Sequence, residues 1–525
     1  MFTRRADDLV LLGLWARVGT ALLAGALSAL AMAPIHVGPI LLLTLPVLVL
    51  LLDGAETTKP KAGPIRRALP AFWVGWAFGF GYFVGGLWWI GKAFLVEAEE
   101  FAFLLPVAVA GLPAVLGIFH GLAAVVARAL SRDGWTRVVA LAFAFAGAEF
   151  LRGHLFTGFP WNTLGYAAMP VPYLMAQSAW WGLYGATFVT LLVCASPVLL
   201  VRPRRGDRLA LAGVAAFALV AIVVPPLTLA PAPAATSHTV RLVQPAVDQR
   251  EKWMPGREVE MFRRHLDMSR AEPLDGLTYV IWPESAFAFL IQREPDALAA
   301  IADALPDGVA LLTGGMRGED FSNGSPRRVW NSVLVIDDEG AIVETGDKTH
   351  LVPFGEYLPF GPVLRAIGLR QLVARGGFEA GRERIAMRTL AGPSFLPLVC
   401  YEVIFSGALL PGDERPDFLL NLTNDGWFGM TPGPYQHAHQ SQVRAVEEGL
   451  PMVRVANSGT SFVADARGAI VASMPLGARD VLDAKLPGPA SRSFFSRWRH
   501  WPFAGMLLLA FVLLVAARRR QPLYS

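Results

Sequence analysis

The chain runs to 525 residues, of which 54% are hydrophobic and only 17% charged, well short of the quarter charged that a soluble domain carries. So much apolar surface has to face lipid, which excludes a wholly soluble protein. The net charge of +4 does not point to a nucleic-acid partner, because the basic residues sit beside the apolar runs, where a membrane protein keeps them.

Crossing a bilayer takes about 20 apolar residues in a helix. Seven stretches before residue 230 come near that length: 9–32, 35–52, 70–91, 101–127, 138–154, 173–201 and 209–229. An eighth covers 501–517. The first resembles a signal peptide, but the spans behind it make it a retained helix. Arg4 and Arg5, then Lys59 to Arg67, Arg128 to Arg137, Arg202 to Arg208 and finally Arg518 to Arg520 mark alternate loops as basic. Lys and Arg gather on the cytoplasmic side. Both termini are therefore expected in the cytoplasm. Residues 1–230 form a seven-helix membrane region, 501–517 the eighth helix, and 238–490 a domain on the outer face.

The 238–490 block has short apolar runs broken by Gly, Pro and Asp. Strands are expected at 239–243, 278–282, 309–313, 329–336, 341–344, 395–399, 418–422 and 452–456. Helices are expected at 257–270, 295–304 and 436–449. Strands alternating with helices indicate an α/β domain with a further strand-rich part. The whole is an α+β membrane protein.

Catalytic side chains in such domains tend to stand where strands end. Three expected strands run into Glu284, Lys348 and Cys400. A thiol attacks only as thiolate, so it needs a base. A buried carboxylate such as Glu284 can serve, and Lys348 can steady an oxyanion. Together the three suit acyl transfer through a thioester. Singly, a cysteine after an apolar strand is more often core, and a strand-end charge is more often surface.

The neighbouring residues narrow the choice. Ile281-Trp-Pro-Glu284-Ser, Lys348-Thr-His-Leu-Val-Pro-Phe-Gly-Glu356-Tyr-Leu-Pro359, Val399-Cys400-Tyr-Glu402 and Asn421-Leu-Thr-Asn-Asp-Gly-Trp427-Phe-Gly429 resemble the nitrilase (carbon-nitrogen hydrolase) superfamily. The resemblance implies an extracytoplasmic αββα sandwich with a Glu284-Lys348-Cys400 triad. It implies that Glu356 positions the triad, that Tyr401 and Glu402 support the nucleophile, and that Trp253 and Trp427 lie near the site. For the two tryptophans plain packing is nearly as good a reading.

With eight spans around it, the chain is similar to the superfamily's membrane-bound acyltransferases of the bacterial inner membrane. Those take an acyl chain from a phospholipid and give it to the amine of a diacylglyceryl-cysteine at a lipoprotein N-terminus. That implies a monomer working in the bilayer without cofactor or nucleic acid, its site opening to lipid at the outer membrane edge.

Other residues are weighed as follows. Cys194 sits in an apolar run as a small hydrophobe. Glu149 with Arg152 reads as a helix-end ion pair near the outer interface, and His36 and His120 as structural. His437 and His439, two apart on a helix, point away from each other, so no metal is expected. Two other readings remain open: a membrane-anchored amidase sharing the triad, and a transporter or sensor whose outer domain only binds ligand.

Overall fold

The computed structural model describes residues 2–55, 63–96, 98–201, 203–252, 254, 256–322, 325–366, 377–389, 392–410, 412 and 414–519. The chain divides into two units, one of Met1–Gly91, Phe103–Ala230 and Ser493–Ser525, the other of Lys92–Ala102 and Pro231–Arg492.

The first unit is helical. Among the described residues, six helical stretches are long and apolar enough to cross a membrane: Leu14–Ala31, Pro64–Leu95, Ala102–Leu130, Ser178–Leu200, Arg205–Thr228 and Trp501–Arg519, with a shorter apolar one at Gly38–Asp53. The helix Thr136–His154 coincides with the remaining expected span. Two expected spans are interrupted. The run 9–32 breaks at Gly13, whose extended backbone (ψ 158°) separates a short helix Phe2–Val10 from Leu14–Ser28. The run 173–201 is broken at Gly182, with φ +67°. A Cβ there would lie 2.2 Å from the Phe495 ring, so only glycine fits.

The Glu149–Arg152 ion pair lies towards the end of helix Thr136–His154, as expected, and it is buried. Glu149 is 0% exposed; one oxygen meets Arg152 and the other His120 Nε2 at 2.7 Å. Arg152 also donates to the carbonyls of Phe159 and Trp161. A charge inside an apolar bundle is costly unless paired in this way.

The second unit is built on two sheets. One has the order β11-β1-β2-β3-β4-β5, with β1 (Ala235–Gln244), β2 (Leu277–Ile281), β3 (Ala310–Ser322), β4 (Ser325–Ile336), β5 (Ile342–Asp347) and β11 (Asp480–Pro487). The other has the order β10-β9-β8-β7-β6, with β6 (Phe395–Val399), β7 (Phe418–Thr423), β8 (Met452–Ala456), β9 (Ser461–Ala464) and β10 (Ile470–Met474). The strands β1, β2 and β3 run parallel, as do β6, β7 and β8.

Alternate residues of each strand point to one face. Val240, Leu242, Ile281, Leu312 and Val333 of the first sheet thus share a core with Phe418, Leu420, Val453 and Val455 of the second. The opposite face of the first sheet, through Val243, Trp282, Leu311 and Leu334, packs on Phe262, Leu266 and Ile301. Those come from helices Glu258–Ser269 and Pro295–Ala302. Helix Pro432–Glu448 packs on β8 and β9. The layers are helix, sheet, sheet, helix.

Candidate active site

Glu284 follows β2 by three residues, and its turn is shaped by β3. The Gly314 amide donates to Pro283 O at 3.2 Å, and Ala286 N donates to Gly314 O at 2.9 Å. A Cβ on Gly314 would stand 2.5 Å from Glu284 Cα, so the glycine is what lets strand and turn meet. Lys348 follows β5 directly, and its amide donates to Asn331 O on β4 at 2.8 Å. Cys400 opens a one-turn 3-10 helix after β6, with φ +50°, a backbone state that non-glycine residues seldom adopt. Such outliers gather at functional sites.

The side chains of the Glu284 and Lys348 loops converge, with Asn331 of β4 between them, and Cys400 lies in electrostatic reach of both. Lys348, 1% exposed, donates to Glu356 (Nζ to Oε1 2.9 Å, to Oε2 2.8 Å) and stands 3.9 Å from Glu284 Oε1. Asn331 Nδ2 bridges the two carboxylates, at 2.8 Å from Glu284 Oε1 and 3.1 Å from Glu356 Oε1. Val352 N donates to Glu356 Oε2 at 2.9 Å. Glu356 thus has donors on both oxygens and aims the ammonium.

Burial raises the Glu284 carboxyl above the usual carboxylate range, with Lys348 opposing and Glu356 reinforcing, which strengthens it as a base. Burial alone would lower Lys348, but Glu356, Glu284 and the Cys400 sulfur outweigh it and raise the group, so it remains a cation. Burial, and then the charge of Glu284, raises the Cys400 thiol, while Lys348 opposes. A thiol held up in this way needs a base to take its proton before it can act as a nucleophile.

Glu402 and Tyr401 act around this centre. Glu402 Oε1 accepts from Thr349 N (2.9 Å), Thr349 Oγ1 (2.7 Å), His350 N (3.1 Å) and Arg384 Nη2 (2.7 Å), and Oε2 accepts from Val399 N at 2.8 Å. It ties the nucleophile turn to the segment leaving Lys348. Tyr401 is buried, with its ring edge-on to Phe405. Trp427 is half-buried on the 3-10 turn Asp425–Phe428. Trp253 lies outside the described residues.

Several residues to which the motif reading gave no role stand beside these side chains. Asn331 is one. Lys252 is another: its buried ammonium donates to Glu284 O at 3.2 Å, and burial pushes it down to about 8 against the pull of Glu284. Thr423, Asp425, His437 and Arg454 form a buried cluster beside Cys400. The signal for Arg454 was in the sequence, because an arginine inside the apolar strand Met452-Val-Arg454-Val-Ala has to be paired.

A family model described as the apolipoprotein N-acyltransferase N-terminal domain matches residues 24–196. A second, described as carbon-nitrogen hydrolase, matches residues 239–493. The apolipoprotein N-acyltransferase of Sinorhizobium fredii is 45% identical over 534 residues, covering 99% of this chain and 99% of that protein. The protein of the same name from Brucella suis is 45% identical, covering 99% of this chain and 100% of its own.

The chain belongs to the apolipoprotein N-acyltransferase family.

The resemblance to the carbon-nitrogen hydrolases read from the motifs is borne out, and the apolar helices make this member of the family a multi-pass membrane protein. All of Glu284, Lys348, Glu356 and Cys400 fall inside the carbon-nitrogen hydrolase region at 239–493. Among solved structures, an amidase from Nesterenkonia sp. aligns with 53% of this chain and 98% of its own at 14% identity and a TM-score of 0.35.

Proposed function

We propose that this chain moves an acyl chain from a membrane phospholipid to the N-terminal amine of a diacylglyceryl-cysteine apolipoprotein, through a thioester on Cys400. The protein is an acyltransferase of lipoprotein maturation. In the first half-reaction Glu284 takes the thiol proton as the sulfur attacks the glycerol ester, and Lys348 faces the oxyanion. The ester C–O bond then breaks, Glu284 returns the proton to the leaving oxygen, and a lysophospholipid departs. In the second, the neutral amine attacks the thioester, Glu284 takes its proton, and the sulfur leaves and is reprotonated. Holding the thioester away from water prevents its hydrolysis.

The observation that carries this reading is the buried Lys348, gripped by Glu356 and 3.9 Å from Glu284, in electrostatic reach of the Cys400 sulfur. One chain supplies every group, so a monomer suffices. For the membrane part, we read eight spans, seven within 1–230 and one at 501–517, crossing a bacterial inner membrane. The termini are cytoplasmic and the catalytic domain, 238–490, is periplasmic. The basic loops support this, and reporter fusions at residue 204 and within 238–490 test it.

The deciding experiment is intact-mass detection of an acyl adduct on Cys400 after incubation of the full-length protein with phospholipid. The parent gains one acyl mass. Cys400→Ala, Glu284→Gln and Lys348→Ala do not. An adduct that persists in Cys400→Ala sinks the reading.

A further inference from the structure

The Cys400 sulfur has a neighbour that the triad does not use. Thr423 ends β7, the parallel partner of β6, and its Oγ1 stands 3.3 Å from Cys400 Sγ. The same hydroxyl is 3.1 Å from Asp425 Oδ1. Arg454 Nη2 donates to Asp425 Oδ2 at 2.6 Å, and Arg454 and His437 together hold Asp425 at about 2 against the opposing effect of burial. It is an anion at any working pH.

The same cluster grips the backbone of the nucleophile. Asn421 Nδ2 donates to Leu398 O at 2.9 Å and to Cys400 O at 3.3 Å, and its amide oxygen accepts from Arg454. His437 Nε2 lies 3.1 Å from Cys400 O. A carbonyl only accepts, so the ring carries its hydrogen on Nε2. His437 Nδ1 stands 3.1 Å from Arg454 Nη2 and 2.9 Å from Asp425 Oδ1. Burial and then Arg454 lower this histidine. His437 Nδ1 thus stands between the guanidinium and the carboxylate, and Asp425 Oδ1 faces both His437 and Thr423. Asn421, Thr423, Asp425, His437 and Arg454 are all buried, so no solvent competes for these bonds.

Thr423 has one proton and two acceptors. A neutral thiol is a weak acceptor, and beside it the Asp425 carboxylate takes the bond. A thiolate is a strong one, and turning the hydroxyl about its C–O bond redirects the proton to sulfur. We propose that Thr423 is a catalytic donor that switches its hydrogen bond from Asp425 to the Cys400 sulfur whenever that sulfur is charged, with Asp425, His437 and Arg454 as its positioning residues.

This rests on Cys400 being the nucleophile. Thr423 keeps its proton throughout; the thiol proton goes to Glu284. The bond is strong while the sulfur attacks, absent in the neutral thioester, and strong again as the sulfur leaves to the amine. Interactions made only near the transition state are those that accelerate a reaction.

The test reads the sulfur directly. Full-length protein is alkylated with iodoacetamide across pH 6–10, and modification of Cys400 is followed by peptide mass. The charged groups facing the sulfur are Glu284, Lys348 and Asp425, and none is altered in Thr423→Val. This variant should alkylate about tenfold more slowly at neutral pH, its profile moved up by about one pH unit, as loss of one bond to an ion implies. Thr423→Ser should stay near the parent. His437→Gln, which keeps a donor toward the Cys400 carbonyl, should lose less than His437→Phe.

Should Thr423→Val fail to fold, Thr423→Ala against Thr423→Ser gives the same comparison. A Thr423→Val or Thr423→Ala profile that overlays the parent overturns the inference. Glu284→Gln in the same assay separates the two readings: a shift in Thr423→Val with none in Glu284→Gln would spare this inference and count against Glu284 as base.

Discussion

Glu356 touches no reacting atom, yet its charge should decide how alkaline a solution the enzyme tolerates. In Glu356→Gln the amide oxygen can still accept from Lys348, but the anion 2.8 Å from the ammonium is gone. At an effective dielectric constant near 20, a charge pair at that distance is worth about 6 kcal/mol, or roughly four pH units. The retained hydrogen bond and residual polarisation halve that, leaving about two pH units. Lys348 is raised in the parent by Glu356 and Glu284 against a burial effect that acts the other way. Removing the larger opposing charge brings the ammonium's loss of its proton into an accessible range.

The sign follows. A lysine acts as oxyanion donor only while protonated, so activity is present below its pKa and lost as pH rises through it. Acyl-adduct formation, measured by intact mass between pH 6 and 11, should stay flat at the alkaline end in the parent and begin to fall at that end in Glu356→Gln. At pH 6, where Lys348 is charged in both, the variant should come within about tenfold of the parent. An alkaline limb unmoved by Glu356→Gln would refute this electrostatic account of Glu356.

Gly314→Ala places a methyl against the Glu284 backbone, 2.5 Å from its Cα; a displacement of about 1 Å should cost on the order of a hundredfold in acylation rate, and an unchanged rate would show that the turn accommodates it. Glu402 is held below the usual carboxylate range: burial opposes this, but Arg384 and the Val399 amide outweigh it. Its stabilisation is therefore present above pH 4.5 and lost as pH falls through the depressed value, and Glu402→Gln should flatten the acid side of the thermal-stability profile. Gly182→Ala combines a φ of +67° with a contact to Phe495 of 2.2 Å. It should cost at least about 2 kcal/mol, seen as earlier aggregation on heating in detergent and eased by Phe495→Ala.

The eight strands expected from apolar runs are all present, because each carries a buried, β-branched or aromatic run, and apart from the far part of β3 their ends differ by four residues at most. The three that escaped among the described residues are short, exposed or charged. β10 is largely exposed, with only Met474 buried, and β9 is four residues long. β11 reads Asp480-Val-Leu-Asp-Ala-Lys, with charges where the pattern wants apolar residues. It is fixed instead by antiparallel pairing with β1 and by Asp483, which meets the buried Arg241. The far part of β3 was hidden for a different reason: Gly314, Gly315 and Gly318 interrupt its pattern. Gly314 is there because Glu284's turn presses against it, so the feature that obscured the strand is the one that builds the site.

The same division runs through the residues of the proposed site. Glu284, Lys348 and Cys400 were legible because their types suit a reaction and their neighbours match a known pattern. Asn331, Lys252 and Thr423 act through geometry that only folding creates. Asn331 matters because its amide lies between two carboxylates that are 72 residues apart in sequence, and Thr423 because β6 and β7 lie side by side. Some of this can nevertheless be reached from alternation alone. Asn421 and Thr423 are two apart on one strand and must share a face. A polar pair on a fully buried strand, with Arg454 on the neighbouring strand, cannot stay unsatisfied. Asn421 reaches the backbone at the end of β6, where Cys400 stands. Buried polar residues on adjacent central strands thus mark the site independently of the nucleophile, and they do so from the side that a triad of loop residues leaves unread.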